Sequence, residues 1–517
     1  MARTVDAQEL ARRLEARPRA FALLDIREAG EAERGHIPGA SALPRRLLEF
    51  RIEPLVRNRD TPIILYDDGD GRADLAAGTL ERAGYGAVST LAGGLPAWRA
   101  AGQPLATGFN VPSKAFGEQV HDEGVPSMTP AALAALAASG RPFTLWDVRT
   151  PAEYRTGTLP GAVRGAGFEL ILSAPGAAAS GAPIVLHCAG RTRSIIATRT
   201  LQLLGFADVT AVENGTMGWM LDGRELERGA DRLLPPPREA DVRAMADRAK
   251  ACAQAAGVRF VSAAEAAAVL AEDTTRPYVF DVRGAEAFAE RHAAEAMHAP
   301  AGQLVQCTDE YVAVATLPIL LMDDGDARAA MAGYWLSRMG FPDVRVVEGG
   351  LAAWSAAGGA TASGPRRSRP LNLDLARAGA RFLDPQALRA APDEALVLDV
   401  GTSRDFAAGH VPGALWCPRG SLELRAGRLP AERTWIVTAT DERQALLAAA
   451  SLAERGHRAF VLRGGNEGWR AAGGFLEAGG SPEPGFGTDL VEPPYAKGLG
   501  EMRRYLDWEQ TLHRPGA

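Results

Sequence analysis

Cysteine is scarce in this chain. Cys188, Cys252, Cys307 and Cys417 are spread over 517 positions with no paired spacing, which argues against a disulfide framework or a cysteine-based zinc site and fits a reducing compartment. Long apolar runs are missing too: none reaches the roughly 18 residues of a membrane span. Nor is there an excess of basic charge. The formal net charge is −6, which leaves no electrostatic footprint for nucleic acid or an anionic membrane. The opening Met1-Ala2-Arg3-Thr4-Val5-Asp6 lacks the apolar centre of a secretory signal, so the expected location is cytoplasmic. Lysine is rare beside abundant Ala, Gly and Arg, a composition that suggests a GC-rich bacterial genome.

What is present is an internal repeat. Hydrophobic residues make up 46% and charged residues 23%, as in ordinary soluble globular proteins, and the length suggests three or four domains. One landmark reads Gly35-His36-Ile37-Pro38-Gly39-Ala40, then Gly157-Thr158-Leu159-Pro160-Gly161-Ala162, then Gly409-His410-Val411-Pro412-Gly413-Ala414, with an eroded copy at Arg291-His292-Ala293-Ala294-Glu295-Ala296. A second is a Gly-containing turn ending in Trp98, Trp219, Trp354 or Trp469, spaced 121, 135 and 115 positions apart. Each interval is one small domain. Within each copy a short helix leads to a strand ending in Asp25, Asp147, Asp281 or Asp399, and further strands alternate with helices. That order predicts an α/β fold in which each copy is a small parallel sheet covered by helices on both faces.

The most informative stretch is Cys188-Ala189-Gly190-Arg191-Thr192-Arg193-Ser194. The apolar Pro183-Ile184-Val185-Leu186-His187 before it reads as a buried strand, and the residues from Ser194 to Leu204 carry helical spacing with Gly205 as the stop. A cysteine on a strand–loop–helix turn meets converging backbone N–H groups and the positive end of a helix, which favour thiolate and hold an anion. Arg191 and Arg193 add cationic charge. The expected chemistry is that of a sulfur nucleophile acting on an anionic substrate, although a lone cysteine after an apolar strand is also a common small core residue.

With Leu145-Trp146-Asp147-Val148-Arg149 and Glu153-Tyr154 upstream, the stretch resembles the rhodanese (sulfurtransferase) family, and the chain resembles four tandem rhodanese-like domains. Their expected bounds are 1–107, 125–234 (with Cys188), 257–362 and 379–478, followed by a tail at 479–517. The resemblance implies a double displacement: Cys188 takes sulfane sulfur from thiosulfate or a related persulfide donor, then passes it to cyanide or a thiol, small or on a protein. It also implies that Ala189, Gly190, Arg191, Thr192, Arg193 and Ser194 bind substrate and stabilise the charge, that Asp147 and Arg149 support the loop, and that neither metal nor cofactor is involved. Glu153 stands where two-domain members of the family tend to carry Arg, which disfavours a carboxylate-bearing donor such as mercaptopyruvate. Cell-cycle phosphatases of related fold use Cys-x5-Arg, whereas Cys188 and Arg193 form Cys-x4-Arg, a loop sized for sulfur. A phosphatase, or a non-enzymatic scaffold or sulfide sensor, are the other readings.

Three copies lack the nucleophile. Asp67-Asp68-Gly69-Asp70-Gly71-Arg72 and Asp323-Asp324-Gly325-Asp326-Ala327-Arg328 replace the cysteine loop, and Thr440-Asp441-Glu442-Arg443-Gln444 looks shortened. These copies read as structural or interaction modules; binding of a cation by the acidic loops is an alternative. Cys417 is expected in a buried strand and Cys307 in an irregular stretch. Cys252, on a linker helix within 239–256, would act as a resolving thiol if it folds back near Cys188. Strand alternation turns His187 away from the Cys188 face, as a packed histidine rather than a base. The linker at 107–125 reads as irregular, and the one at 363–370 as a flexible join. Tyr505 and Trp508 in the tail are expected to dock on the body. Because copies one and three share their acidic loop, the expected pairing is one with two and three with four, copy one walling the Cys188 loop.

Overall fold

The computed structural model describes residues 3–272, 276–366, 369–390, 395–429, 432–480 and 489–513. Arg367 and Ser368 of the join at 363–370, and the Pro- and Gly-rich run just after Gly480, lie outside these residues.

Each copy is a five-stranded parallel sheet with strand order first–fifth–fourth–second–third, flanked by helices. In the second copy the strands are Ser127–Met128, Thr144–Asp147, Val163–Arg164, Ile184–His187 and Val209–Val212. The expected α/β repeat is therefore present, with two more strands per copy than the sequence pattern outlined. Ser127–Met128 and Val163–Arg164 are two residues long, too short to carry a period of two. Ile184–His187 is central and fully buried, between Thr144–Asp147 and Val209–Val212. Its carboxyl end is where loops of such sheets gather ligands.

Both repeated landmarks have a structural reason. The Gly-x-x-Pro-Gly-Ala turn tethers the end of its own domain: Thr158 N–H donates to the Glu227 carbonyl at 2.8 Å, and His36 N–H to that of Ala106 at 2.9 Å. The tryptophan of the second landmark locks the chain that follows. Its indole N–H reaches the carbonyl six residues on, at Pro104, Glu225, Ala360 and Phe475 in the four copies.

The chain folds into two compact units, and their membership corrects the expected pairing. Copies one and four, residues 1–109 and 367–491, form one unit, while copies two and three, residues 110–366, form the other together with 492–517. In the second unit one apolar core runs through both copies, from Phe116, Trp146 and Leu201 to Phe280, Leu321 and Trp335. Trp335 is fully buried, stands edge-on to Phe116 with ring centroids 5.8 Å apart, and donates its indole N–H to Thr200 Oγ1 at 2.9 Å. Gly167 and Gly302 bring their backbones together; a Cβ on Gly302 would lie 2.5 Å from the Gly167 Cα. In the first unit the corresponding place holds a buried quartet of charges. Arg419 meets Glu49 at 2.7 Å, Arg45 donates to Glu423 at 3.0 Å, and each arginine also pairs with the glutamate four residues on.

This difference was present in the sequence. Five residues after the landmark alanine, copies one and four carry Arg45 and Arg419, each followed four residues later by Glu, while copies two and three carry Gly167 and Ala301. Small meets small and an Arg–Glu pair meets its like, whereas the shared acidic loop of copies one and three does not decide the partner. The linker 107–125 is also corrected: Val111–His121 is a helix, with Phe116 in the shared core. Its apolar positions were too few to announce it.

Trp335→Ala is expected to destabilise this unit by about 3–5 kcal/mol, the usual cost of deleting a buried large aromatic. Chemical denaturation of the full chain measures it; a loss below about 1 kcal/mol would mean that Trp335 does not hold the two copies together.

Candidate active site

Cys188 is the first residue after the central strand, and the helix Thr192–Leu203 begins four residues later. The cysteine is 2% exposed. Its Sγ lies 3.3 Å from Ser194 Oγ and donates to the Arg191 carbonyl at 3.5 Å. Behind the loop, the N–H groups of Thr216 and Met217 hold the carbonyls of Cys188 and Ala189 at 2.9 and 3.0 Å. Only glycine fits the residue that makes this approach: Gly215 has φ +51°, and a Cβ there would sit 2.1 Å from the Cys188 oxygen. Gly94, Gly350 and Gly465 press in the same way on Asp67, Asp323 and Ala439. The second landmark thus clamps the loop in every copy.

The two loop arginines are both ion-paired. Arg191 forms a two-point contact with Glu118 at 2.6 and 2.8 Å, and Arg193 one with Glu153 at 2.8 and 2.7 Å. Burial opposes the charge on Arg193, but Glu153 and Cys188 raise its pKa well above the usual value. Burial likewise pushes Glu153 up, and Arg193 outweighs it, bringing the carboxyl down to about 2. Neither guanidinium is left as a bare cation for a substrate.

Asp147 and Arg149 lie beneath the loop and do not contact sulfur. Arg149 holds Asp147 through Nε at 3.0 Å and a terminal nitrogen at 2.7 Å, and the same nitrogen bonds the Gly157 carbonyl. Thr158 donates to Asp147 at 2.7 Å. Burial would raise Asp147, but His187 and Arg149 bring it down to about 2. Burial pulls His187 down to about 4, so at neutral pH the ring is uncharged and Arg149 is the standing counter-ion. His187 packs against Thr158, as strand alternation indicates. The Asp–Arg pair recurs at Asp25–Arg27 and Asp281–Arg283. In copy four Gly401 replaces the arginine, and Asn466 donates to Asp399 instead at 2.8 Å.

The silent loops show what this turn is built to hold. Asp67 occupies the position of Cys188, and its carboxylate accepts from the N–H groups of Gly69, Gly71 and Ala73 at 2.8, 3.0 and 2.9 Å. Asp323 does likewise with Asp324, Arg328 and Ala329. These carboxylates satisfy the loop amides from inside, which leaves them poorly placed to bind a cation.

Helices Val111–His121 and Leu499–Thr511 cover the Cys188 loop. Gly117 packs directly on Thr192, whose hydroxyl donates to Glu509 at 2.8 Å. Glu509 and Leu506 approach Gly190, and Met502 and Leu506 pack on Met217. The tail thus docks on the body, as its aromatics suggested. Within this unit the cover comes from the 111–121 linker and the tail, which sequence reasoning had not connected with the site. Buried Lys114 lies 5.1 and 5.2 Å from the ring centroids of Tyr505 and Trp508. Burial lowers its pKa to about 8 against the pull of Glu509, Asp309 and Cys307. Cys307, between helices Ala301–Gln306 and Thr308–Tyr311, shares the charged neighbours Arg193 and Lys114. Cys252 instead has Arg199, farther along the helix that follows the loop, as its charged neighbour, and burial raises its thiol.

Comparison with known proteins places these features in context. The sequence pattern of the Rhodanese-like domain matches residues 6–101, 129–222, 262–357 and 384–472. A sulfurtransferase of Allochromatium vinosum is 34% identical over 105 residues, covering 20% of this chain and 95% of that protein. A thiosulfate sulfurtransferase of Azotobacter vinelandii is 31% identical over 170 residues, covering 27% of this chain and 61% of that protein. The crystal structure of a thiosulfate sulfurtransferase from Pseudomonas aeruginosa superposes with a TM-score of 0.91 at 35% identity, over 99% of this chain and 97% of the other.

The Glu153–Arg193 pair makes a pH-dependent prediction. The Glu153 carboxyl is lowered from 4.5 to about 2, so the pair's stabilisation is fully present above 4.5 and is lost as pH falls through about 2. Arg193→Met is expected to cost about 3 kcal/mol near pH 6, the lower end for a broken buried pair, because the two side chains keep 18% and 22% of their exposure. Denaturant midpoints should show the gap to the unmodified protein closing below pH 4.5. A gap of constant size would mean that Glu153 is not held ionised by Arg193.

Proposed function

The chain belongs to the rhodanese-like family, and on that premise we propose that it is a sulfurtransferase in which Cys188 carries the moving sulfur. The names of its relatives support sulfur transfer in general and thiosulfate as a candidate donor.

In the first step the Cys188 thiolate attacks the sulfane sulfur of thiosulfate or a related persulfide donor. The donor's S–S bond breaks, the leaving sulfite or thiolate keeps the electron pair, and a new S–S bond remains on Cys188. In the second step cyanide or a thiol attacks the outer sulfur and regenerates the thiolate. The backbone from Ala189 to Ser194 stabilises the persulfide and the departing anion, acting as fixed dipoles at the point where charge develops. Asp147 and Arg149 are positioning residues: they brace the strand ends from which the loop springs.

The observation that carries this reading is the Asp67 carboxylate. It sits at the Cys188 position of an equivalent loop, bound by three backbone amides. That turn is an anion site, and copy two is the copy that presents sulfur to it.

After treatment of the full chain with thiosulfate, intact mass is expected to show one added sulfur atom that cyanide removes, and Cys188→Ser is expected to gain none. Turnover of thiosulfate and cyanide should fall by at least 10³-fold in that variant, as for loss of an enzymatic nucleophile. A Cys188→Ser protein that still gains and transfers sulfur would overturn the assignment.

A further inference from the structure

The cover over Cys188 carries a buried carboxyl group for which the reaction as written has no use; burial raises its pKa, while Lys114, the Thr192 hydroxyl and Arg191 favour its ionised form. Glu509, on the tail helix, is 2% exposed. Its Oε1 accepts from Thr192 at 2.8 Å, while Oε2 is buried without a hydrogen-bond partner and lies 3.1 Å from where a Gly190 Cβ would be. A carboxylate thus rests on the loop that would receive a donor.

The charges facing it compensate one another. Arg191 is bound to Glu118, Arg193 to Glu153, and Arg149 to Asp147. Lys114 faces both Glu509 and Asp309. Among these described residues the cations already face carboxylates, and none is in surplus to offset a doubly charged donor. The remaining cover is apolar or aromatic: Met217, Leu506 and Tyr505.

We infer that Glu509 is a specificity-determining residue that disfavours small dianionic donors such as thiosulfate and favours organic persulfides, which bring at most one negative charge. The inference rests on the sulfur-carrier reading of Cys188 and narrows its donor class. A donor R–S–SH loses its outer sulfur to the Cys188 thiolate; the S–S bond breaks, R–S⁻ leaves with the electron pair, and the proton remains on the transferred sulfur. No sulfite is formed, and in this protonated form the donor adds no charge to that of the thiolate. With thiosulfate, two further negative charges would come to rest beside Glu509, where like-charge juxtaposition acts as rejection.

The test compares two donors on the full chain: thiosulfate, and the persulfide of N-acetylcysteine methyl ester, whose only ionisable group is the persulfide itself. Glu509→Gln keeps size and the ability to accept from Thr192 while removing the charge. It is expected to raise kcat/KM for thiosulfate by about tenfold and to change that for the persulfide, with at most one charge, by no more than about threefold. Lys114→Gln should move the same ratio the other way. Equal changes for both donors, or none, would overturn the inference, because a structural effect would not distinguish donor charge. Intact mass separates this from failure of the underlying reading: if neither donor adds sulfur to Cys188, it is the sulfur-carrier assignment that falls.

Discussion

In copies one and three the loop turns on one electrostatic interaction: the amides that converge at the end of the central strand take up an anion. Asp67 and Asp323 supply a carboxylate as part of the fold, and the loop is satisfied without a ligand. In copy two the residue at that point is Cys188. Copies one and three differ from copy two in the side chain that stands at the same point of the turn, with Gly215 and its equivalents fixing the turn's shape in all four copies.

Much of this could be read along the chain. Alternating strands and helices, four tryptophan turns and the Cys188 loop are local patterns, and local patterns survive in one dimension. Partnership between copies could not be read the same way, because it is set by a face rather than a motif. The acidic loops shared by copies one and three suggested the wrong pairs, while the Arg45 and Gly167 positions, which do discriminate, look unremarkable until the opposing surface is known.

The Cys188 loop was legible in the sequence, and its electrostatic surroundings were not. Arg191 and Arg193 look in sequence like free cations offered to an anion. Their neutralising partners come from a linker helix and from a capping glutamate, Glu118 and Glu153. Glu509 lies more than three hundred positions downstream of the loop it touches. Such couplings arise from tertiary packing, which a motif cannot encode. Cys307 and Lys114 were hidden for the same reason: each is ordinary in its own segment and meaningful only beside Arg193.

Along the sequence, residues 110–366 of the second unit interrupt the first, and this order has a consequence in time. A ribosome delivers copy one first and its partner, copy four, only after the whole inner pair has been made. The face that must wait displays Arg45 and Glu49, charges that water solvates well, whereas the mostly apolar faces of copies two and three meet a neighbour that emerges next. The contact with the longest delay is the one whose unpaired half is least prone to stick to other nascent chains. The ionic quartet gives that buried seam charged halves in place of apolar ones.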